Sequence, residues 1–262
     1  MTTVAAMICA DGLVMGSDTK VVGGDIKYSQ NKIEVFHIGE SPLIIGGAGS
    51  ARHCRDAIKW MRMDNVDEKL GRNKSFAHFL DAVVERTMPD FVDDYKLKYG
   101  EEPDLEMIIG CIDEDGTPRI VQLYPDGDYD HLDSYCAIGS GGIFGEVLFR
   151  KLYKPDITIQ EAERIIAYII WEIQDIDNNS GEDMQLICIG KNKILRNADH
   201  IDIEAYKQMP KAIYLAYSEL NKEIQSVNIE AIKDAVQNLN KALGIDQRKS
   251  NEANKTRHSK RV

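Results

Sequence analysis

The most constraining feature of this sequence is the order in which β-prone and helical stretches alternate. Short apolar runs divided by Gly, Asp and Pro fill the first 49 residues and return between residues 105 and 138, which is typical of strands joined by turns. Each of these regions is followed by a pair of helical stretches, at about 50–63 and 75–99 and at about 142–152 and 159–175. Strands followed by a helix pair, twice, favour layered α+β packing over a strict βαβ alternation.

Local signals mark the ends of these helices. Thr158 and Glu161 form a capping box. The apolar residues of 159–173 recur at i, i+3, i+4 and i+7, which predicts a helix with one buried face that ends near Asp175. In the second helical stretch, Pro89 predicts a kink because proline cannot donate a backbone hydrogen bond.

The first stretch of the chain is predicted to be a β-hairpin. Asp11-Gly12 lies between two short apolar runs, and glycine supplies the positive φ that a two-residue hairpin turn needs. Thr2 follows Met1 directly, and removal of Met1 would leave Thr2 with a free α-amine at the end of a strand. A hydroxyl and an amine on one residue can act together as nucleophile and base. Many proteins begin Met-Thr, so this dipeptide alone does not favour catalysis.

Composition excludes several classes of function. The chain has 262 residues, 43% hydrophobic residues and a net charge of -11, with a pI near 5.1. This charge argues against general nucleic-acid binding, and no apolar run approaches the roughly 20 residues of a membrane span. No signal peptide is recognised. The five cysteines are scattered and form no CxxC pair, which predicts reduced core thiols in a cytoplasmic protein.

Glycine-rich and acidic stretches raise alternatives that the residues do not support. The stretch 46–51 follows a predicted strand but lacks the Gly-Lys-Ser/Thr of a phosphate-binding loop, and 139–145 has GxGxxxG spacing instead of GxGxxG. The acidic stretch 126–130 lacks the glycine and glutamate of a calcium loop and predicts a solvated turn. No cofactor and no metal are therefore expected. The glycines instead offer backbone N–H groups near helix starts, which suit oxyanions.

Several short motifs, taken in order, resemble those of proteasome β-type subunits, which are N-terminal nucleophile hydrolases. The resemblance covers about residues 2–200. Its motifs are Thr2-Thr3, Asp11-Gly12, Gly16-Ser17-Asp18-Thr19, Asn31-Lys32-Ile33, Gly46-Gly47-Ala48-Gly49-Ser50-Ala51, Ile138-Gly139-Ser140-Gly141 and Asp177-Asn178-Asn179-Ser180-Gly181. The family implies an α+β fold of the N-terminal nucleophile hydrolase type: a four-layer αββα sandwich with two mostly antiparallel sheets and a helix pair on each outer face.

The resemblance implies four roles in catalysis. Thr2 is expected to be the nucleophile, and its α-amine, with an ordinary pKa of about 7.7–8.0, the proton acceptor. Lys32 would place a positive charge beside the Thr2 hydroxyl. Asp18 would orient Lys32 and hold it charged. The backbone N–H of Gly49 would stabilise the oxyanion.

A second group is expected to fix the N-terminal amine and its proton network, and it consists of Ser140, Asp177 and Ser180. Each residue also has an ordinary structural interpretation: Asp18 as a strand-end cap, Lys32 as a surface charge, Ser140 as a helix cap and Asp177 as a loop residue. For single residues these alternatives stay open. The functional interpretation depends on the whole set in its order.

The substrate-binding residues implied by the resemblance are Val21, Gly47, Ala51 and Arg55. Gly47 leaves room for a side chain, and the charge of Arg55 predicts a preference for an acidic one. The chain departs from the family pattern in that Lys32 lies closer to Thr2, and the interval from Lys32 to Gly49 is longer. The choice of Gly49 over Gly47 as oxyanion donor therefore depends on the motif alone.

The resulting prediction is a threonine-type endopeptidase subunit of a self-compartmentalised, proteasome-like assembly. Its expected partners are further copies of the chain in a ring or helical stack, an ATP-dependent unfoldase, and unfolded protein or peptide substrates. Two alternatives are a non-catalytic structural subunit and a small-molecule amide hydrolase of the same fold. Three regions are expected: the hydrolase domain (1–203), a C-terminal helical extension (204–245) and a disordered basic tail (246–262).

Overall fold

The computed structural model describes residues 2–23, 26–38, 41–63, 75–177, 180–181, 183–198, 200–226 and 229–242. The chain divides into two compact units between Ile203 and Glu204. The predicted basic tail, the end of the predicted extension, and Met1 lie outside the described residues.

The strands, in chain order, are β1 (Thr3–Cys9), β2 (Gly12–Asp18), β3 (Lys20–Gly23), β4 (Ile26–Ser29), β5 (Ile33–Ile38), β6 (Ser41–Gly49), β7 (Leu105–Ile112), β8 (Pro118–Leu123), β9 (Tyr129–Leu132), β10 (Tyr135–Gly139), β11 (Met184–Gly190) and β12 (Leu195–Asn197). The helices are α1 (Ala51–Met63), α2 (Phe76–Ala82), α3 (Met88–Tyr99), α4 (Gly142–Leu152), α5 (Ile159–Ile176), α6 (His200–Lys207), α7 (Met209–Ser226) and α8 (Ile229–Ala242), and a π-helical turn (Val83–Thr87) joins α2 to α3.

Two five-stranded antiparallel sheets form the centre of the first unit. One has the order β10-β1-β2-β11-β12 and the other has the order β5-β6-β7-β8-β9, while β3 and β4 form a separate two-stranded ribbon. The two sheets pack against each other through a shared cluster of buried side chains that includes Val4 and Met15 from one sheet and Ile44 and Ile108 from the other. Alternate residues of a strand face opposite sides, so each sheet presents a second face for helices.

Helices cover both outer faces. A second apolar cluster lies between the β5–β9 sheet and the helices α1, α2 and α3, and it includes Leu43, Phe79 and Phe91. Helix α4 packs on β10, and α5 packs on β1, β2 and β11. These layers confirm the predicted four-layer αββα sandwich. Burial of one helix stripe and of both sheet faces follows from the hydrophobic effect.

The first hairpin is confirmed, but its turn lies one residue earlier than predicted. Cys9 pairs with Gly12, so Ala10 and Asp11 form the turn. Gly12 belongs to β2, where a Cβ would lie 2.2 Å from the carbonyl oxygen of Ile189 on the neighbouring strand. Close approach of two strands, and not turn geometry, therefore explains why residue 12 is glycine.

Other boundaries differ from prediction in small ways. The helical stretch that contains Pro89 is confirmed, and its expected irregularity is the π-helical turn directly before Met88. The capping box of α5 is confirmed by reciprocal bonds between Thr158 and Glu161. Strand β9 was not predicted, because its polar sequence resembles the turn that precedes it, and helix α6 was missed for lack of a clear apolar face.

The second unit consists mainly of α7 and α8, which pack against each other with Ile213, Ala216 and Ala235 buried. Both helices were predicted from their amphipathic sequence. Among the described residues, the structure has no helix that combines the length and the apolar character needed to span a bilayer.

Candidate active site

The hairpin of β1 and β2 brings the start of the chain next to Asp18. Val4 pairs with Ser17, so Asp18 at the end of β2 lies opposite the first residues of β1. The backbone N–H of Thr3 donates to Asp18 Oδ1 at 2.8 Å. Thr2, just before β1, is 6% exposed and its neighbour Thr3 is fully buried. The antiparallel register alone therefore places a carboxylate beside the chain start.

Asp18 and Lys32 form a buried ion pair. Lys32 Nζ lies 2.9 Å from both carboxylate oxygens, and the side chains are 7% and 0% exposed. Asp18 Oδ2 also accepts from the backbone N–H groups of Lys20 and Gly181, each at 3.2 Å. These bonds replace the water that the carboxylate loses on burial. Burial lowers the pKa of the Lys32 ammonium below its usual range, and the Asp18 carboxylate opposes that shift.

Gln185 positions the backbone of Lys32 and was not predicted from the sequence. Its Oε1 accepts from the N–H groups of Lys32 and Ile33 at 3.1 and 3.0 Å, and its Nε2 donates to the carbonyl of Ile33 at 3.0 Å. Gln185 lies on β11 of one sheet while Ile33 begins β5 of the other. Contacts between residues more than 150 positions apart leave no local sequence signal.

The three predicted support residues come together. Ser140 Oγ donates to Asp177 Oδ2, and Ser180 Oγ donates to the same oxygen at 3.1 Å. Thr3 Oγ1 lies 2.8 Å from Ser180 Oγ. Because the Ser180 proton is directed to Asp177, Thr3 is the donor in this bond. The group therefore reaches the chain start through Thr3, a residue to which the sequence assigned no role of its own.

Gly49 presents its N–H to a cleft beside Thr2. Ser50 N–H donates to the carbonyl of Asp104 at 2.9 Å, so in the alternating antiparallel ladder the Gly49 N–H faces away from β7. On that side Gly47 N–H donates to the carbonyl of Lys32 at 3.2 Å. Two residues further along β6, the position opposite precedes Ile33, where β5 begins, so among the described residues no strand lies opposite the Gly49 N–H.

This geometry separates the two candidate oxyanion donors. The Gly47 N–H is used by the Lys32 carbonyl, whereas the Gly49 N–H lies opposite the chain that precedes the first residue of β5. Gly49 has φ +102°, a region that favours glycine, and a Cβ there would lie 2.7 Å from the carbonyl oxygen of Asp104. The backbone thus favours Gly49 as the donor and also explains why this position is glycine.

The cleft brings together the candidate nucleophile and the candidate substrate-binding residues. Its lining consists of Thr2, Val21, Gln30, Asn31, Lys32, Glu34, Gly47, Gly49, Ala51, Cys54, Arg55 and Ile58. All four residues predicted to bind substrate are present. Sequence reasoning missed Gln30, Asn31, Glu34, Cys54 and Ile58, which come from the same strand ends and helix.

Two of the missed residues change the chemistry of the cleft. Glu34 adds a negative charge to the wall that also carries Arg55, so its charge is mixed and not simply basic. A Cβ at Gly47 would lie 3.0 Å from Cys54 Sγ, which places this thiol at the base of the cleft. Burial raises the pKa of the Cys54 thiol to about 12. The thiol is therefore neutral at physiological pH and does not compete with a hydroxyl nucleophile.

The sequence is similar to known proteasome subunits. A family model described as "Proteasome subunit" matches residues 1–189. The chain is 27% identical over 198 residues to proteasome subunit beta type-7 of Dictyostelium discoideum, covering 75% of this chain and 71% of that protein. It is 24% identical over 193 residues to proteasome subunit beta of Methanosphaera stadtmanae, covering 73% and 87% of the two chains.

Solved structures show the same fold. Anbu (ancestral beta-subunit) from Yersinia bercovieri matches with a TM-score of 0.68 at 16% identity, covering 79% of this chain and 92% of that one. The helical assembly of the Anbu complex from Pseudomonas aeruginosa matches with a TM-score of 0.68 at 17% identity, covering 83% and 96%.

The buried ion pair generates a stability prediction. Asp18→Asn leaves the Lys32 ammonium buried without its opposite charge, and we expect the free energy of unfolding to fall by about 3–5 kcal/mol. Lys32→Met removes the buried cation that the Asp18 carboxylate balances. The double variant should therefore lose less free energy of unfolding than the sum of the losses of the two single variants. Urea unfolding at one protein concentration measures all four proteins, and additivity within about 0.5 kcal/mol would contradict the pairing.

Proposed function

This chain belongs to the proteasome subunit family, and from that premise we propose that it is a threonine-type endopeptidase with Thr2 as its nucleophile once Met1 is removed. The observation that carries the proposal is the cleft, whose lining includes Thr2, Lys32 and Gly49 together. These residues supply a hydroxyl, a cation and a backbone N–H. Acyl transfer through a hydroxyl nucleophile needs these three kinds of group.

In the proposed first step, the Thr2 hydroxyl attacks the carbonyl carbon of the scissile peptide bond. Its proton passes to the Thr2 α-amine, whose ordinary pKa of about 7.7–8.0 suits a general base near neutral pH. The Lys32 ammonium lowers the free energy of the developing alkoxide. Its own lowered pKa reflects burial in the same place. The Gly49 N–H donates to the oxyanion of the tetrahedral intermediate.

In the proposed second half, the C–N bond breaks and the α-ammonium returns its proton to the leaving amine. An ester between Thr2 and the acyl part of the substrate remains. Water then attacks this ester, gives its proton to the α-amine, and releases the acid and the Thr2 hydroxyl. Ser140, Asp177 and Ser180 support the chain start through the hydrogen bonds that lead to Thr3.

Two other functions fit the same fold. A non-catalytic structural subunit would not need a buried, hydrogen-bonded Asp18–Lys32 pair beside Thr2, so the intact pair favours catalysis. A small-molecule amide hydrolase would use the same nucleophile. The mixed charges of Glu34 and Arg55 on the cleft wall suit the varied side chains of peptides.

We further propose that copies of the chain assemble into a ring or helical stack in the cytoplasm. An exposed peptidase cleft would otherwise act on any accessible chain, and one structural neighbour is itself a helical assembly. Unfolded proteins or peptides are the proposed substrates, and an ATP-dependent unfoldase is the proposed partner that delivers them.

The nucleophile is tested by covalent labelling. A peptide epoxyketone reacts with a hydroxyl and a free amine on one residue, so we expect the intact mass of the processed chain to rise by one adduct that maps to Thr2. Thr2→Ala should abolish both the adduct and peptide hydrolysis, whereas Thr117→Ala, a control in the turn between β7 and β8, should still form the adduct. Retention of Met1 in active protein, or an adduct on another residue, would contradict the proposal.

The mixed charge of the cleft wall is tested with a panel of fluorogenic peptides that differ in the residue before the cut. Arg55 is exposed, so its charge should be worth at most about 1 kcal/mol, which is about fivefold in kcat/KM. Arg55→Gln should lower kcat/KM for acidic residues by up to this factor. Glu34→Gln should lower kcat/KM by up to the same factor for peptides with a basic residue before the cut. Equal effects of each variant on all peptides would remove these two side chains from substrate selection.

Assembly is tested by the mass of the protein in solution. The chain has a mass of 29.5 kDa, and sedimentation velocity of the full chain should show a species several times larger. Electron microscopy of that species distinguishes a closed ring from an open helix. A stable monomer at micromolar concentration that cleaves folded and unfolded proteins alike would contradict a self-compartmentalised assembly.

A further inference from the structure

A histidine with no part in the proposed chemistry connects helix α3 to the residue before β7. His53 lies in the first turn of α1, and its Nδ1 accepts from the backbone N–H of Asp104 at 2.9 Å. Its Nε2 is hydrogen-bonded to the hydroxyl of Tyr95 on α3. The two rings meet edge to face, with centroids 4.7 Å apart. The imidazole is therefore held at both nitrogens.

The residue that His53 holds by its N–H is also the one whose carbonyl packs on Gly49. The carbonyl of Asp104 accepts from Ser50 N–H at 2.9 Å. The same carbonyl oxygen lies where a Cβ on Gly49 would approach it to 2.7 Å. A shift of Asp104 therefore moves Gly49 and Ser50 with it. The direction of the Gly49 N–H depends on this contact.

The bond from Asp104 also determines the protonation state of the ring. Because a backbone N–H can only donate, His53 Nδ1 must be unprotonated, and the neutral ring carries its proton on Nε2 and donates it to Tyr95. An imidazolium donates from both nitrogens and would oppose the Asp104 N–H. The titratable and charged groups around this contact are Tyr95 and Tyr99 on α3, Arg52 and Asp56 on α1, and Glu101 and the Asp104 carboxylate between α3 and β7.

We propose that His53 is a positioning residue for the oxyanion. By accepting from the Asp104 N–H, it holds the Asp104 backbone in the place where the Gly49 N–H points into the cleft. The inference rests on the proposed function, because the Gly49 N–H has an oxyanion to bind only in that reaction.

The test compares wild type, His53→Ala and His53→Asn in the assembled, processed protein with one fluorogenic peptide. Asn keeps an acceptor in place of Nδ1 but does not titrate, whereas Ala removes the acceptor. At about pH 8 we expect His53→Ala to lower kcat about 10- to 100-fold with KM nearly unchanged, since small misplacements of catalytic groups have effects of this size. His53→Asn should recover most of the loss. Equal kcat values in all three proteins would overturn the proposal.

The split between kcat and KM separates positioning from a structural role. Loss of folded protein lowers the amount of active enzyme in both variants, whereas misplacement of the Gly49 N–H lowers kcat in His53→Ala and much less in His53→Asn. Equal losses in the two variants contradict the proposal. His37→Asn, on β5, is the matched control and should keep the wild-type kcat.

Crystal structures of the variants separate this inference from the proposed function. If the wild-type protein is inactive, the proposed peptidase activity is refuted, but the position of Gly49 can still be measured. A shift of Gly49 N by about 0.5 Å or more in His53→Ala, reversed in His53→Asn, would then support positioning, because about this tolerance separates productive from unproductive site geometry. An unmoved Gly49 would overturn it. If His53→Ala does not fold, His53→Leu, which keeps an apolar side chain against Tyr95 but has no acceptor for the Asp104 N–H, replaces it in both measurements.

Discussion

Two opposite charges lie inside the first unit at the junction of its sheets. Asp18 ends β2 of one sheet, and Lys32 lies just before β5 of the other, so their ion pair ties the two layers together at the edge of the cleft. Taking both groups out of water is unfavourable unless hydrogen bonds replace the lost hydration. Three backbone N–H groups, from Thr3, Lys20 and Gly181, provide that replacement for Asp18. The chain start, the β3 ribbon and the loop after α5 are thereby held to one carboxylate.

Close backbone approach is the second physical requirement of the site. At Gly141 a Cβ would lie 2.2 Å from Thr3 Oγ1, and at Gly139 it would lie 2.0 Å from the carbonyl oxygen of Thr2. Gly46 likewise lies against Val4 and Met15 of the opposing sheet. Glycine lets neighbouring backbones come this near. The glycine-rich stretches, which suggested nucleotide binding by composition, instead bring the strands close enough to bury the start of the chain.

Much of the architecture follows from local pattern. The sequence predicted the order of strands and helix pairs, the capping box at Thr158 and the hairpin near Asp11, because each depends on residues that are close together in the chain. The errors have two different causes. Gly12 was predicted to be a turn residue, but it packs against the carbonyl of Ile189 on another strand, which no local pattern shows. Strand β9 was missed because a polar edge strand resembles the turn before it. Resemblance to a family, and not periodicity, supplied the order of the site residues.

The sequence by itself determined the α+β layering, the acidic charge, and the chemical types of the residues that meet at Thr2. Only the tertiary structure decided which of two glycines has its N–H left for the cleft, because that depends on the ladder between β6 and β7 and on where β5 begins. It also revealed Gln185, Glu34, Cys54 and the His53–Asp104 bond. Hydrophobic periodicity is a property of neighbours in the chain, whereas a hydrogen bond between distant residues exists only once packing has brought them together.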